Sequence, residues 1–100
     1  MATPEKKVKE KVCAKLKELG AYYFYASTGG YGASGVPDIV ACYKGNFIGI
    51  ECKAGKNKPT ALQERELTAI EKAGGKTFIT NEENIEALNE HLKSYGHTSN

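Results

Sequence analysis

Val8, Val12, Leu16 and Leu19 recur every three or four residues, which predicts a helix with one inward stripe. Thr3 stands where a cap belongs, Pro4 at the first helical position and Gly20 just past the end. Residues 21–26 are aromatic and read as a strand. Residues 28–35 include Gly29, Gly30, Gly32 and Gly35 and read as a flexible loop. Two further strands, 38–43 and 47–53, are joined at Gly45-Asn46, a dipeptide suited to a two-residue hairpin turn. After a basic loop at 54–59, a second helix over about 60–73 carries Leu62, Leu67 and Ile70, and Gly74-Gly75 stops it. Residues 76–80 form a fourth strand, and Asn81 caps a last helix carrying Ile85, Leu88 and Leu92. The tail, 96–100, is expected to fray.

The order is therefore α-β-β-β-α-β-α. A strand reached through a helix lies parallel to the one before it, by a right-handed crossover. The expected class is α/β, a mixed sheet flanked by helices in one domain over residues 1–100. With 40% hydrophobic and 26% charged residues, the composition is that of a globular domain. No apolar run approaches the roughly 20 residues of a membrane span. Lys6, Lys7, Lys9 and Lys11 stand where the apolar stretch of a signal peptide would lie, so a cytoplasmic protein is expected. Cys13, Cys42 and Cys52 fall within apolar patterns and form no C-x-x-C pair; core packing in a reducing compartment is expected for all three. The net charge of +2 hides an asymmetry: residues 1–58 hold ten lysines against five acids, and 59–100 hold four Lys and Arg against seven Glu. A basic half suits a polyanionic partner.

The chemistry gathers on the third strand. In Phe47-Ile48-Gly49-Ile50-Glu51-Cys52-Lys53, alternation turns Ile48, Ile50 and Cys52 to one face and Gly49, Glu51 and Lys53 to the other. On this strand alone the second set is equally a solvated edge-strand face, with Gly49 clearing space beside the charged pair. The hairpin changes the balance. With Gly45 and Asn46 as its loop, Asp38 stands opposite Lys53 and Val40 opposite Glu51, so Asp38, Glu51 and Lys53 share one face. Asp38 and Glu51 are then diagonal neighbours, with Cβ atoms roughly 7 Å apart or less. A three-residue loop would turn Asp38 to the wrong face. Two carboxylates at that spacing can hold Mg2+ or Mn2+, with the Cys52 backbone carbonyl as a further ligand. Such an ion polarises a phosphoryl oxygen and lowers the pKa of a water, and Lys53 can orient that water or offset charge in the transition state. This is the chemistry of phosphodiester hydrolysis.

Gly35-Val36-Pro37-Asp38 followed by Ile50-Glu51-Cys52-Lys53 resembles the PD-(D/E)xK nuclease pattern. With the preceding helix, the hairpin, the basic loop and Gln63 after Lys58-Pro59, the chain is similar to the virus-type replication-repair nuclease (VRR-NUC) family in its minimal stand-alone form, over about residues 5–80. Cys52 departs mildly from the apolar residue usual between Glu and Lys. The resemblance implies a restriction-endonuclease-like fold, a Mg2+ or Mn2+ cofactor, and Asp38, Glu51 and Lys53 as the catalytic centre. It also implies a further metal-binding acid from the first helix. Glu5 fits better than Glu10, because Glu5 continues the inward stripe while Glu10 lies about 500° round the helix from it. A first-turn Glu that merely suits the helix dipole is the bland alternative.

The resemblance likewise draws Gln63 into the catalytic site, although Thr60-Ala61-Leu62-Gln63 also fits a capping box. Lys56 and Lys58 read as phosphate contacts, or as a solvated loop. Stand-alone members act on branched DNA, and cutting a four-way junction symmetrically calls for a homodimer. Tyr22, Tyr23, Phe24 and Tyr25 cannot all face one core and would supply its interface. The alternative is a non-catalytic nucleic-acid-binding module, in which Asp38 and Glu51 would repel phosphate. His91 and His97 have no metal-ligand spacing with another candidate, and no GxSxG, P-loop, HExxH or GxGxxG occurs.

Overall fold

The computed structural model describes residues 3–26 and 35–95. The expected glycine-rich loop up to residue 34, the tail and His97 lie outside the described residues. Helix α1 (Pro4–Leu19) begins where Thr3 Oγ1 accepts a hydrogen bond from the Lys6 N–H at 3.1 Å, and ends at Gly20 in the left-handed region, φ 82°. Then follow β1 (Tyr22–Tyr25), β2 (Ile39–Tyr43), β3 (Asn46–Cys52), α2 (Ala61–Lys72), β4 (Lys76–Thr80) and α3 (Ile85–Ser94), the expected order.

The strands form one sheet in the order β1-β2-β3-β4. β3 pairs antiparallel with β2 and parallel with β4, so it is interior to the sheet, not an exposed edge. Val8, Val12 and Leu16 of α1 and Ile85, Leu88 and Leu92 of α3 pack with Ile39, Ala41, Ile48, Ile50 and Cys52 to make the core on one face. Helix α2 lies against β3 and β4 on the other, burying Leu67 but leaving Leu62 exposed, contrary to expectation. Gly49 clears no space for charged groups. A Cβ there would meet Ile70 Cδ1 at 2.7 Å and Pro37 Cγ at 3.0 Å, so the gap is filled by α2 and Pro37.

The hairpin register also differs from expectation. The turn is Lys44-Gly45, with φ of 52° and 80°, the pair of positive values that a two-residue type I′ turn demands. Asn46 belongs to β3, and its Nδ2 donates to the carbonyls of Tyr43 and Lys44 at 3.2 Å each. Every pairing therefore shifts by two relative to the Gly45-Asn46 reading: Val40 faces Gly49 rather than Glu51. A shift of two preserves the face of each side chain.

Two smaller expectations fail for identifiable reasons. Asn81 does not cap α3; its Oδ1 accepts from Glu83 N at 2.8 Å and Asn84 N at 3.0 Å, shaping a turn ahead of the helix, whose cap residue is Asn84. Cys42 is exposed, because it lies on the α2 face beyond the reach of α2, whereas Cys13 and Cys52 are buried. Among the described residues no helix is long and apolar enough to cross a membrane.

Candidate active site

The β2–β3 ladder ends at Ile39 and Ile50, and Asp38 and Glu51 are the next residues beyond this last pair. Pro37, just before Asp38, has no N–H to donate to a ladder, and regular pairing has stopped by this point. The Cys52 N–H turns instead to Asp38 Oδ2, at 2.8 Å. A proline thus opens the end of the hairpin, and the carboxylate after it takes up the freed donor.

Glu51 is 1% exposed, in the sheet interior. Its Oε2 accepts from Gln63 Nε2 at 2.8 Å and lies 3.6 Å from Lys53 Nζ. Its Oε1 is buried without a hydrogen-bond partner among the described residues. Burial first, and then the negative charge of Asp38, push the Glu51 carboxyl up to about 7, against the lowering influence of Lys53. An unsatisfied buried carboxylate oxygen facing a second carboxylate is what a divalent cation would relieve.

Gln63 unites its two sequence readings in one side chain. Oε1 accepts from the Thr60 N–H at 2.8 Å while Thr60 Oγ1 accepts from the Gln63 N–H at 3.2 Å, a complete capping box. The box leaves Nε2 to point at Glu51. Gly35 supports this arrangement. It adopts φ 86°, and a Cβ there would meet the Leu62 backbone carbonyl at 2.6 Å and Gln63 N at 2.9 Å. Only glycine allows the chain ahead of Asp38 to pack so closely on the first turn of α2.

Asp38 also opens onto a cleft of about 420 Å3 lined by Glu5, Lys9 and Tyr25 among others. Lys9 Nζ lies 3.6 Å from Asp38 Oδ1 and 3.9 Å from Glu5 Oε2. Glu5 therefore reaches the site through Lys9 and does not itself join the two carboxylates. Glu10 is exposed and does not line the cleft. Tyr25 lines the same cleft, and its hydrogen bond with Cys13 and desolvation push its hydroxyl up to about 12. Lys56 and Lys58 are exposed on the loop after β3, which the Gly55 N–H ties to Glu82 Oε1 at 2.7 Å. His91 sits edge-on to Phe78 and Tyr95. Sequence reading missed Lys9; its position one helical turn after Glu5 was the available signal.

Among the described residues no three His, Cys, Asp or Glu cluster as metal ligands. Protein donors for a cation would be two carboxylates and the Cys52 carbonyl, with waters or phosphate completing the shell. That oxygen-only, incompletely protein-filled set suits Mg2+.

A family model described as archaeal Holliday junction resolvase (Hjc) matches residues 8–92. The chain belongs to that family. The Hjc match covers every strand and both carboxylates. The chain is similar to "Putative nuclease p44" of Acyrthosiphon pisum secondary endosymbiont phage 1, 29% identical over 87 residues, covering 84% of this chain and 89% of that one. It is also similar to a solved VRR_NUC domain at a TM-score of 0.75 and 26% identity, covering 90% of this chain and 98% of the other. The Hjc family and the VRR_NUC fold identify a nuclease, and the α/β order read from the sequence is that of the solved domain.

Proposed function

We propose that this chain is a Mg2+- or Mn2+-dependent endonuclease that cuts branched DNA, four-way junctions above all, as a homodimer. One observation carries the metal dependence: Glu51 Oε1 is buried with no hydrogen-bond donor for it among the described residues, and the Glu51 carboxyl is set against that of Asp38. Asp38, Glu51 and the Cys52 carbonyl would hold the ion. When bound, it supplies Lewis acidity toward a phosphoryl oxygen and acidifies a water. Lys53, 12% exposed beside Glu51, orients the attacking water and offsets charge developing on phosphorus oxygens. Gln63 holds Glu51 Oε2 so that the carboxylate presents Oε1. Lys56 and Lys58 bind flanking phosphates from the exposed loop.

The resolvase family and a bare stretch of sheet support the branched substrate and the dimer. Tyr22, Phe24, Cys42 and Phe47 share the α2 face but lie beside α2 rather than under it; Tyr22 is 71% exposed. A second copy covering this patch would supply the second metal centre that symmetric cutting needs. A pure binding module offers no reason to bury an unsatisfied carboxylate.

The test is cleavage of matched duplex, flap and four-way-junction DNAs with Mg2+, Mn2+ or chelator, together with sedimentation. Metal-dependent cutting strongest on the junction by a species twice 10.8 kDa is expected. Binding without cleavage in any metal would favour the module. An active species of 10.8 kDa alone would remove the dimer.

A further inference from the structure

Asp38 and Glu51 each commit one oxygen to the protein. Asp38 Oδ2 takes the Cys52 N–H, and Glu51 Oε2 takes Gln63 and Lys53. The oxygen left on Glu51 has no hydrogen-bond partner among the described residues. The oxygen left on Asp38 faces Lys9 Nζ at 3.6 Å, and Lys9 is the one cation within ion-pair distance of Asp38 among the described residues. That separation exceeds the roughly 2.7–2.9 Å of a charge-assisted hydrogen bond. The contact is therefore held by charge, without a directional bond to break. Lys9 is 29% exposed at its side chain, so it has room to move, and Glu5 Oε2 waits 3.9 Å away on the same helix.

The geometry points to Lys9 as a displaceable counter-ion that competes with the divalent metal for Asp38 Oδ1 and passes to Glu5 when the metal enters. This rests on the metal-centre reading given above. In the free protein the ammonium offsets the Asp38 charge; a divalent ion arriving within a few ångströms meets like-charge repulsion until Lys9 swings away. Lys9 thereby lowers the metal affinity of the DNA-free protein. At the dielectric of a half-exposed cleft, one such unit charge changes affinity by roughly tenfold. Glu5, on this account, acts as the berth for Lys9.

Calorimetric titration of Mn2+ into the DNA-free full chain tests the idea. Lys9→Gln and Lys9→Met should each bind Mn2+ about tenfold more tightly than the parent. Lys9→Met keeps the apolar stem, so a shared gain in both variants is not a packing effect. Lys9→Arg retains the charge and should match the parent, as should Lys15→Gln, whose partner Glu86 lies away from the carboxylates on α3. Equal or weaker binding by folded Lys9→Gln and Lys9→Met, with saturable binding by the parent, overturns the role of Lys9 and leaves the metal centre standing. No saturable binding by the parent, or binding undiminished in Asp38→Asn, overturns the metal centre and the competition together.

Discussion

On one face of β3, Ile48, Ile50 and Cys52 are fully buried among the side chains of α1 and α3. On the other face, one residue out of step, Gly49 and Glu51 lie under α2, which buries Leu67. Both faces exclude water, yet only the first is satisfied. Each buried Ile or Leu contributes about 1.5–3 kcal/mol, whereas an unsatisfied buried polar atom costs about 1–3 kcal/mol, and more when charged. The apolar face is thus large enough to offset one strained carboxylate on its reverse. Backing the chemistry with a rigid core also keeps Glu51 and Asp38 at fixed separation, which a loop-borne site would not.

The sharpest way to break this contrast is to mutate neighbours. Asp38→Ala, Glu51→Gln and Lys53→Ala should each lower cleavage by more than about a thousandfold with the fold intact by circular dichroism. A variant that cuts within a few-fold of the parent loses its assigned role. Ile50→Ala, next to Glu51, should instead cost about 2–5 kcal/mol of stability in denaturant unfolding. If Glu51→Gln proves the more destabilising of the two, the division of labour between the faces is wrong.

The pH dependence of stability probes the unsatisfied face alone. With its carboxyl raised from an ordinary 4.5 to about 7 when folded, Glu51 binds its proton more tightly in the folded state. Its stabilising contribution is therefore complete below about pH 4.5 and lost as pH rises through about 7. Chelated parent protein should lose on the order of 2 kcal/mol between pH 5 and pH 8 from this group. Glu51→Gln should lack that loss, and Mn2+ should remove it in the parent while leaving the profile of the variant unchanged. Identical pH profiles for parent and Glu51→Gln would mean that the carboxyl is not perturbed.

The smallest expected effect lies at the margin of the site, where α1 meets the sheet end. Glu5→Gln should reduce cleavage about tenfold, and Glu10→Gln should leave it within about twofold, since only Glu5 reaches Asp38 through Lys9. The reverse ranking would place the helix acid on the wrong side of α1.

Much of the site was legible because strand periodicity is insensitive to the error made. The turn was read at Gly45-Asn46 and lies at Lys44-Gly45, but the two registers differ by an even number, so Asp38, Glu51 and Lys53 stayed on one face. What changed was the partner: the ladder closes on Ile39 and Ile50, Asp38 comes close to Glu51, and the Cys52 N–H binds the Asp38 carboxylate. Gln63 was recognisable twice, as a capping-box residue and by family pattern. Nothing local says that one amide can serve both, since that depends on α2 crossing above β3.

The order of elements, the inward stripe of α1, the parallel fourth strand and the shared face of the charged residues were determined by the sequence, because each follows from spacing along a helix or strand. The interior position of β3, the sealing of Glu51 and the approach of Lys9 to Asp38 were decided by tertiary structure. These depend on which segments meet in space. Periodicity tells each residue which way to face, and only the packed chain determines what it will find there.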